Sequence, residues 1–309
     1  MIAEREGDEN FISKKIKIII FLLILLLGGC AEEKTPANSS EFEECANNWA
    51  ICMVNLQLNS NHLKSNPVKV AILDSGINSD LEELQKYVVK SFNTFNNSSQ
   101  TNPKNEHGTM VASIVAKTNY KDITIGLNNN VEIYDVKVLN DEAVGKVENT
   151  ILGINWAIEQ NVDIINISYG FSNDDELFQK AIKKAYASGI IIVAATGNTM
   201  GLSTDYPAKY PEVLSISAID HDMNIFAYAG KGKVDYVAPG VKVPVLNIHG
   251  ELEYQSGTSF ATAYATGVIS LFRSKSNTTN TINALKESSL KLGSTVTYGE
   301  GLIQFKEDY

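Results

Sequence analysis

The stretch Val68-Lys69-Val70-Ala71-Ile72-Leu73-Asp74-Ser75-Gly76 decides how the rest of the chain is read. Its β-branched apolar run is the length of one buried strand, and the Ser-Gly after Asp74 turns the chain. A carboxylate is thereby presented at a strand end. Outward from it the pattern repeats, with buried strands expected at Val68 to Leu73, Val131 to Val138, Ile164 to Ile167, Ile190 to Ala194, Val213 to Ser217 and Val234 to Val237. Helix-length segments separate them. Asn149 to Gln160 sets Ile151, Ile154, Ile158 and the neighbouring Trp156 at helical spacing, and Asp174 to Ser188 does so with Leu177, Phe178, Ile182 and Ala185 before a terminating Gly189. Strands alternating with crossover helices specify an α/β fold with a mostly parallel sheet flanked by helices. In such sheets ligands gather beyond the carboxyl ends of the strands, where Asp74 and Asn198 both fall.

Three further segments carry chemistry. His107-Gly108-Thr109 opens Met110 to Ala116, which reads as a buried helix, so the imidazole stands at a helix start. The chain has four histidines, and His62, His221 and His249 lack any comparable setting, which makes His107 the candidate base. Ser256-Gly257-Thr258-Ser259 precedes an Ala-rich run from Phe260 to Gly267 that suits a buried helix beginning at a nucleophile. Ile190 to Ala195 runs into Thr196-Gly197-Asn198. A serine hydroxyl is a weak nucleophile that needs an imidazole to take its proton and a carboxylate to orient the imidazole. Each segment alone has a plain alternative: a turn aspartate, an exposed histidine, a Gly-Thr-Ser loop, a Gly-Asn turn. The Gly-x-Ser-x-Gly elbow of α/β-hydrolases is not what surrounds Ser259.

Taken in order, Asp74-Ser75-Gly76, His107-Gly108-Thr109 and Gly257-Thr258-Ser259 resemble the motifs of the subtilisin-like serine proteases, the subtilase family. Asp163 to Gly170, Tyr206 to Pro211, Val237 to Gly240 and Tyr298 to Ile303 extend the likeness over about 240 residues. The resemblance implies the three-layer subtilisin-like fold, with Asp74, His107 and Ser259 as acid, base and nucleophile. It implies that Asn198 and the Ser259 backbone N–H receive the oxyanion, and that Ser168, Tyr169 and Gly170 pair with an extended peptide or protein substrate. No cofactor is needed for that chemistry. Departures stand at Met110, Ser113, Ala263 and Tyr264, where repacking behind the catalytic atoms is the expectation, and at Leu81-Glu82. Calcium is left open and no metal is assigned: the loop Lys117 to Gly126 offers only Asn119 and Asp122 as oxygen-bearing side chains, against the roughly six to eight oxygens a hard cation takes. Tyr169 and the loop Asp141 to Lys146 are candidate pocket walls, and no charge stands clearly at a pocket floor.

The amino-terminal part bears on location. Lys14, Lys15 and Lys17 precede the apolar run Ile18 to Leu27, about half the roughly 20 residues of a membrane-crossing helix, so residues 1–29 read as a signal peptide. Leu27-Gly28-Gly29-Cys30 resembles a bacterial lipobox, which implies a lipoprotein acylated at Cys30 and held at the extracytoplasmic face of the cell membrane. An ordinary secretory signal is the alternative. Residues 30–67 read as a tether with a short packed element around Trp49 to Leu58, and 68–309 as the catalytic domain. With Cys30 set aside, Cys45 and Cys52 are either a disulfide or two thiols. A net charge of −10 without a basic stripe argues against nucleic acid as a partner, and a monomer is expected. Two rival functions remain: a non-catalytic peptide-binding lipoprotein, and an esterase using the same residues.

Overall fold

Short runs of Val, Ile and Ala form the central sheet in a computed structural model that describes residues 47–54 and 67–306. The strands are β1 (Val68–Asp74), β2 (Val88–Asn93), the hairpin pair β3 (Asn119–Tyr120) and β4 (Ile123–Thr124), β5 (Val131–Lys137), β6 (Ile164–Ile167), β7 (Ile191–Ala195), β8 (Val213–Ile219), β9 (Tyr236–Pro239), and the hairpin β10 (Val243–Leu246) with β11 (Leu252–Gln255). Seven of them form one sheet in the order β2-β5-β1-β6-β7-β8-β9, and every neighbouring pair is parallel. The six expected strands are all present, Ile164–Ile167 with the expected ends and the others with ends shifted by no more than two residues. The expectation missed β2, whose Val89 and Lys90 face solvent: an edge strand needs no continuous apolar run, and a charged edge discourages pairing with other chains.

Helices α1 (Trp49–Val54), α2 (Glu82–Gln85), α3 (His107–Val115), α4 (Val147–Glu159), α5 (Glu176–Ala187), α6 (Thr258–Arg273), α7 (Thr278–Ser288) and α8 (Thr295–Tyr298) accompany the strands. Helices α4 and α5 bury Ile154, Ala157, Phe178, Ile182 and Ala185 against Leu73, Val136, Ile165 and Ile192. Helix α6 lies across β6 to β9, against α3. Every residue of α6 from Thr258 to Phe272 is buried, as expected of a helix enclosed on all sides. Its polar side chains bond inward: Asn166 on β6 donates to Thr266 (2.9 Å) and Asn128 donates to Ser270 (2.8 Å). The result is a helix–sheet–helix arrangement.

The short packed element expected near Trp49 is α1, and Phe305 N–H donates to its last carbonyl, Val54 O, at 2.6 Å. Cys52 on α1 is disulfide-bonded to a partner outside the described residues. The signal peptide 1–29, Cys30 and Cys45 also lie outside them. Among the described residues no helix is long and apolar enough to cross a membrane.

Candidate active site

Parallel strands place their ends side by side, and here Asp74 ends β1, Ser168-Tyr169-Gly170 follows β6, and Thr196-Gly197-Asn198 follows β7. Asp74 is fully buried, and its Oδ1 accepts the Ser75 N–H at 2.7 Å. The turn after it is stitched to the start of α3, since Gly108 N–H donates to Ser75 Oγ (3.0 Å) and Asn78 N–H donates to Thr109 Oγ1 (3.0 Å). A side chain at Gly108 would bring its Cβ to 2.4 Å from the Gly76 carbonyl, so glycine is what lets α3 start this close to β1. His107 is thereby delivered to Asp74.

The imidazole Nδ1 lies 2.9 Å from Asp74 Oδ1 and 3.0 Å from Oδ2, and the His107 side chain keeps 25% exposure. Burial of the ring pulls its pKa down, but the charge and hydrogen bond of Asp74 outweigh burial and hold it above the ordinary histidine value. Phe260, one residue past Ser259, sets its ring 5.8 Å from the imidazole. Nδ1 facing the carboxylate leaves Nε2 as the position for a proton in transit.

Ser259 is the second residue of α6, where backbone N–H groups have no partner within the helix. Its hydroxyl donates to the Ser168 carbonyl at 2.6 Å. Ser168 Oγ in turn lies 2.9 Å from Asn166 Oδ1 and 3.1 Å from the Ser259 carbonyl, sharing its proton between them. Asn198 Oδ1 accepts from the N–H (3.1 Å) and hydroxyl (3.2 Å) of Thr258. That fixes the amide and leaves Nδ2 with no hydrogen-bond partner among the described residues. His107, Asn198, Ser259, Phe260, Met110 and Ala143 line one cleft of about 330 Å³. A larger groove of about 480 Å³ along β2, walled by Val88, Lys90 and Trp156, contains no histidine.

Ser113 and Tyr264, two of the substituted positions, make buried hydrogen bonds. Ser113 Oγ bonds the Met110 carbonyl (2.7 Å) and accepts from Leu246 N–H (3.1 Å), while the fully buried Tyr264 hydroxyl receives Asn48 Nδ2 at 3.3 Å. Tyr169 turns its hydroxyl to Thr150 Oγ1 at 2.8 Å, which leaves only its ring to wall a pocket. Asp141, in the other candidate wall, is held by Lys137 (2.7 Å) and Lys104 (3.2 Å), whose hydrogen bonds lower its pKa. In the loop Lys117 to Gly126, Asp122 Oδ2 and the Thr124 carbonyl accept amide N–H groups from Asn47 and Asn48.

Sequence reasoning missed Asn166 and Thr266, which tie the middle of α6 to β6. Their signal was an amide inside the otherwise apolar run Ile164-Ile165-Asn166-Ile167, since a buried amide must have a partner. It also missed Asp205, one residue before the segment Tyr206 to Pro211 on which the family resemblance drew.

A carboxylate-bound imidazole sharing a cleft with a serine in the first turn of a helix and an anchored amide belongs to the serine hydrolases, and fold and site place the chain in that class. Residues 65–298 match the model of the subtilase family. Subtilisin DY of Bacillus licheniformis is 34% identical over 244 residues, 76% of this chain and 88% of that protein. The subtilisin of Bacillus pumilus is 34% identical over 257 residues, 80% of this chain and 92% of its own length. Subtilisin E of Bacillus subtilis is also 34% identical, over 80% of this chain and 66% of its own length. The chain belongs to the subtilase family of serine-type endopeptidases.

Proposed function

We propose that this protein is an exported endopeptidase, anchored by a lipid on Cys30 at the outer face of a bacterial cytoplasmic membrane, that cuts peptide bonds through an acyl-enzyme on Ser259. The catalytic reading is carried by the paired contact of His107 Nδ1 with both Asp74 oxygens, made in the cleft that Ser259 and Asn198 share. Substrate binding turns the Ser259 hydroxyl from the Ser168 carbonyl toward His107. Its oxygen attacks the peptide carbonyl, and the proton passes to Nε2 while Asp74 stabilises the imidazolium. Negative charge on the carbonyl oxygen meets Asn198 Nδ2 and the Ser259 N–H. The imidazolium protonates the departing amine, and water then releases the acyl group by the same route. Ser168 to Gly170 holds the substrate as an added strand. The anchor reading rests on Leu27-Gly28-Gly29-Cys30 alone, and with Cys30 acylated, Cys45 is the partner for Cys52.

Fluorophosphonate should label Ser259, and Ser259→Ala should abolish both labelling and cleavage of casein. Cleavage at an undiminished rate by Ser259→Ala would overturn the assignment. Asn198→Ala should lower kcat by about 10²- to 10³-fold with little change in KM, the loss seen when a subtilisin loses its equivalent donor. A steady-state comparison on one peptide amide reads both constants.

A further inference from the structure

Between the two strand ends that face substrate stands a carboxylate the mechanism does not use. A Cβ placed on Gly197 would come within 2.3 Å of Asp205 Oδ2, and one on Gly170 within 2.5 Å of Asp205 Cβ. Asp205 therefore fills the space that side chains at Gly170 and Gly197 would occupy. Its backbone is tied to both segments: Asp205 N–H donates to the Thr196 carbonyl (3.0 Å), and Tyr206 exchanges two 2.8 Å hydrogen bonds with Phe171. The carboxylate itself is half-buried and makes no hydrogen bond or ion pair among the described residues. Lys209, whose charge acts on it, sets its ammonium over the Tyr206 ring, 4.7 Å from the centroid. Burial raises the pKa of Asp205, as it does for a carboxylate lacking a partner.

The proposed function fixes what meets this group. With the scissile carbonyl oxygen at Asn198 and the substrate backbone along Ser168 to Gly170, the side chain of the residue that owns that carbonyl points between the two segments. Asp205 is the floor there. An apolar side chain would take water from the carboxylate and give nothing back, whereas an ammonium or guanidinium would pair with it. We propose that Asp205 selects peptides carrying Lys or Arg on the acyl side of the bond cut, an inference that rests on the catalytic reading above.

The test uses full-length protein in detergent and peptide amides that differ only in Lys, Arg, norleucine or Glu before the scissile bond. The kcat/KM for Lys or Arg should exceed that for norleucine by about 10- to 100-fold, the range of a charge-assisted hydrogen bond. Asp205→Asn should collapse that ratio toward parity and Asp205→Glu should retain a basic preference; the wild-type ratio decides even where a variant does not fold. Norleucine cut as fast as Lys, or a ratio unchanged in Asp205→Asn, overturns the inference while leaving the protease reading intact. Failure to cut any peptide, with Ser259 unlabelled by fluorophosphonate, overturns both.

Discussion

The two ionisable residues with the most to say are His107 and Asp135. The folded pKa of His107 lies above 6.5, so the charged imidazole stabilises the fold fully below 6.5, and that contribution fades as pH climbs through the folded value. Activity runs the other way, because only the neutral ring accepts the Ser259 proton. The acid limb of kcat/KM should therefore have its midpoint above 6.5. In Asp74→Asn burial acts without the opposing carboxylate, so the midpoint should fall and kcat should drop about 10⁴-fold. A pH–rate profile of both proteins checks this, and an unmoved midpoint would contradict the pairing. Asp135, opposite Ile72 and two residues before the end of β5, is buried with Oδ1 unpartnered, while Oδ2 accepts Thr101 Oγ1 (2.6 Å) and Ile77 N–H (3.2 Å). Burial, reinforced by Asp74 and opposed by Thr101, Ile77 and Lys137, pushes its pKa up to about 7. A raised carboxyl pKa costs stability, and the cost grows as pH rises from the unfolded value toward 7. Asp135→Asn keeps an acceptor oxygen and removes the charge. It should melt higher than wild type at pH 8, by on the order of 2–4 kcal/mol in stability, with the difference shrinking toward pH 4. Thermal unfolding at the two pH values separates this from a uniform gain.

At the scale of elements, the sheet and its flanking helices were legible because buried strands leave continuous apolar runs and α4 and α5 leave a helical period. Their ends were less so, since a turn residue marks a boundary only within a residue or two. What stayed hidden depends on neighbours distant in sequence. Asn48 is the clearest case: its Oδ1 accepts the Ala50 N–H (3.1 Å), and its Nδ2 reaches both the Thr124 carbonyl (2.9 Å) and the Tyr264 hydroxyl (3.3 Å). One buried amide thus joins α1, the β3–β4 hairpin and α6. Nothing in Ala46-Asn47-Asn48-Trp49 announces this, because the partners lie 76 and 216 residues away. Asn48→Ala strands a carbonyl and a hydroxyl in the interior, so it should destabilise the fold by about 2–3 kcal/mol. Denaturant unfolding reads that loss. The active-site distances do not involve Asn48, so kcat in the folded variant should stay near wild type.

Across the whole molecule, the parts of the site that could be read ahead were those whose chemistry sits in contiguous motifs. Asp74, His107, Ser259 and Asn198 each lie at or near the end or start of an element recognisable by its own pattern. Asp205 could not be read in this way, because it acquires meaning only where the ends of β6 and β7 converge on it. The anchor is a third kind of feature, resting on sequence alone and testable apart from catalysis. Each buried CH₂ of an acyl chain adds about 0.8 kcal/mol of membrane affinity, so one chain binds marginally while two or more hold a protein firmly. A protein acylated as the Cys30 reading requires should partition into the detergent phase of Triton X-114 and sediment with membranes. Cys30→Ala removes the acceptor sulfur and should shift the protein to the aqueous phase and the soluble fraction. Its kcat/KM on a short soluble peptide should match wild type, since no group in the catalytic cleft has been changed. Wild-type protein found wholly in the aqueous phase would end the lipid reading and leave the peptidase reading untouched.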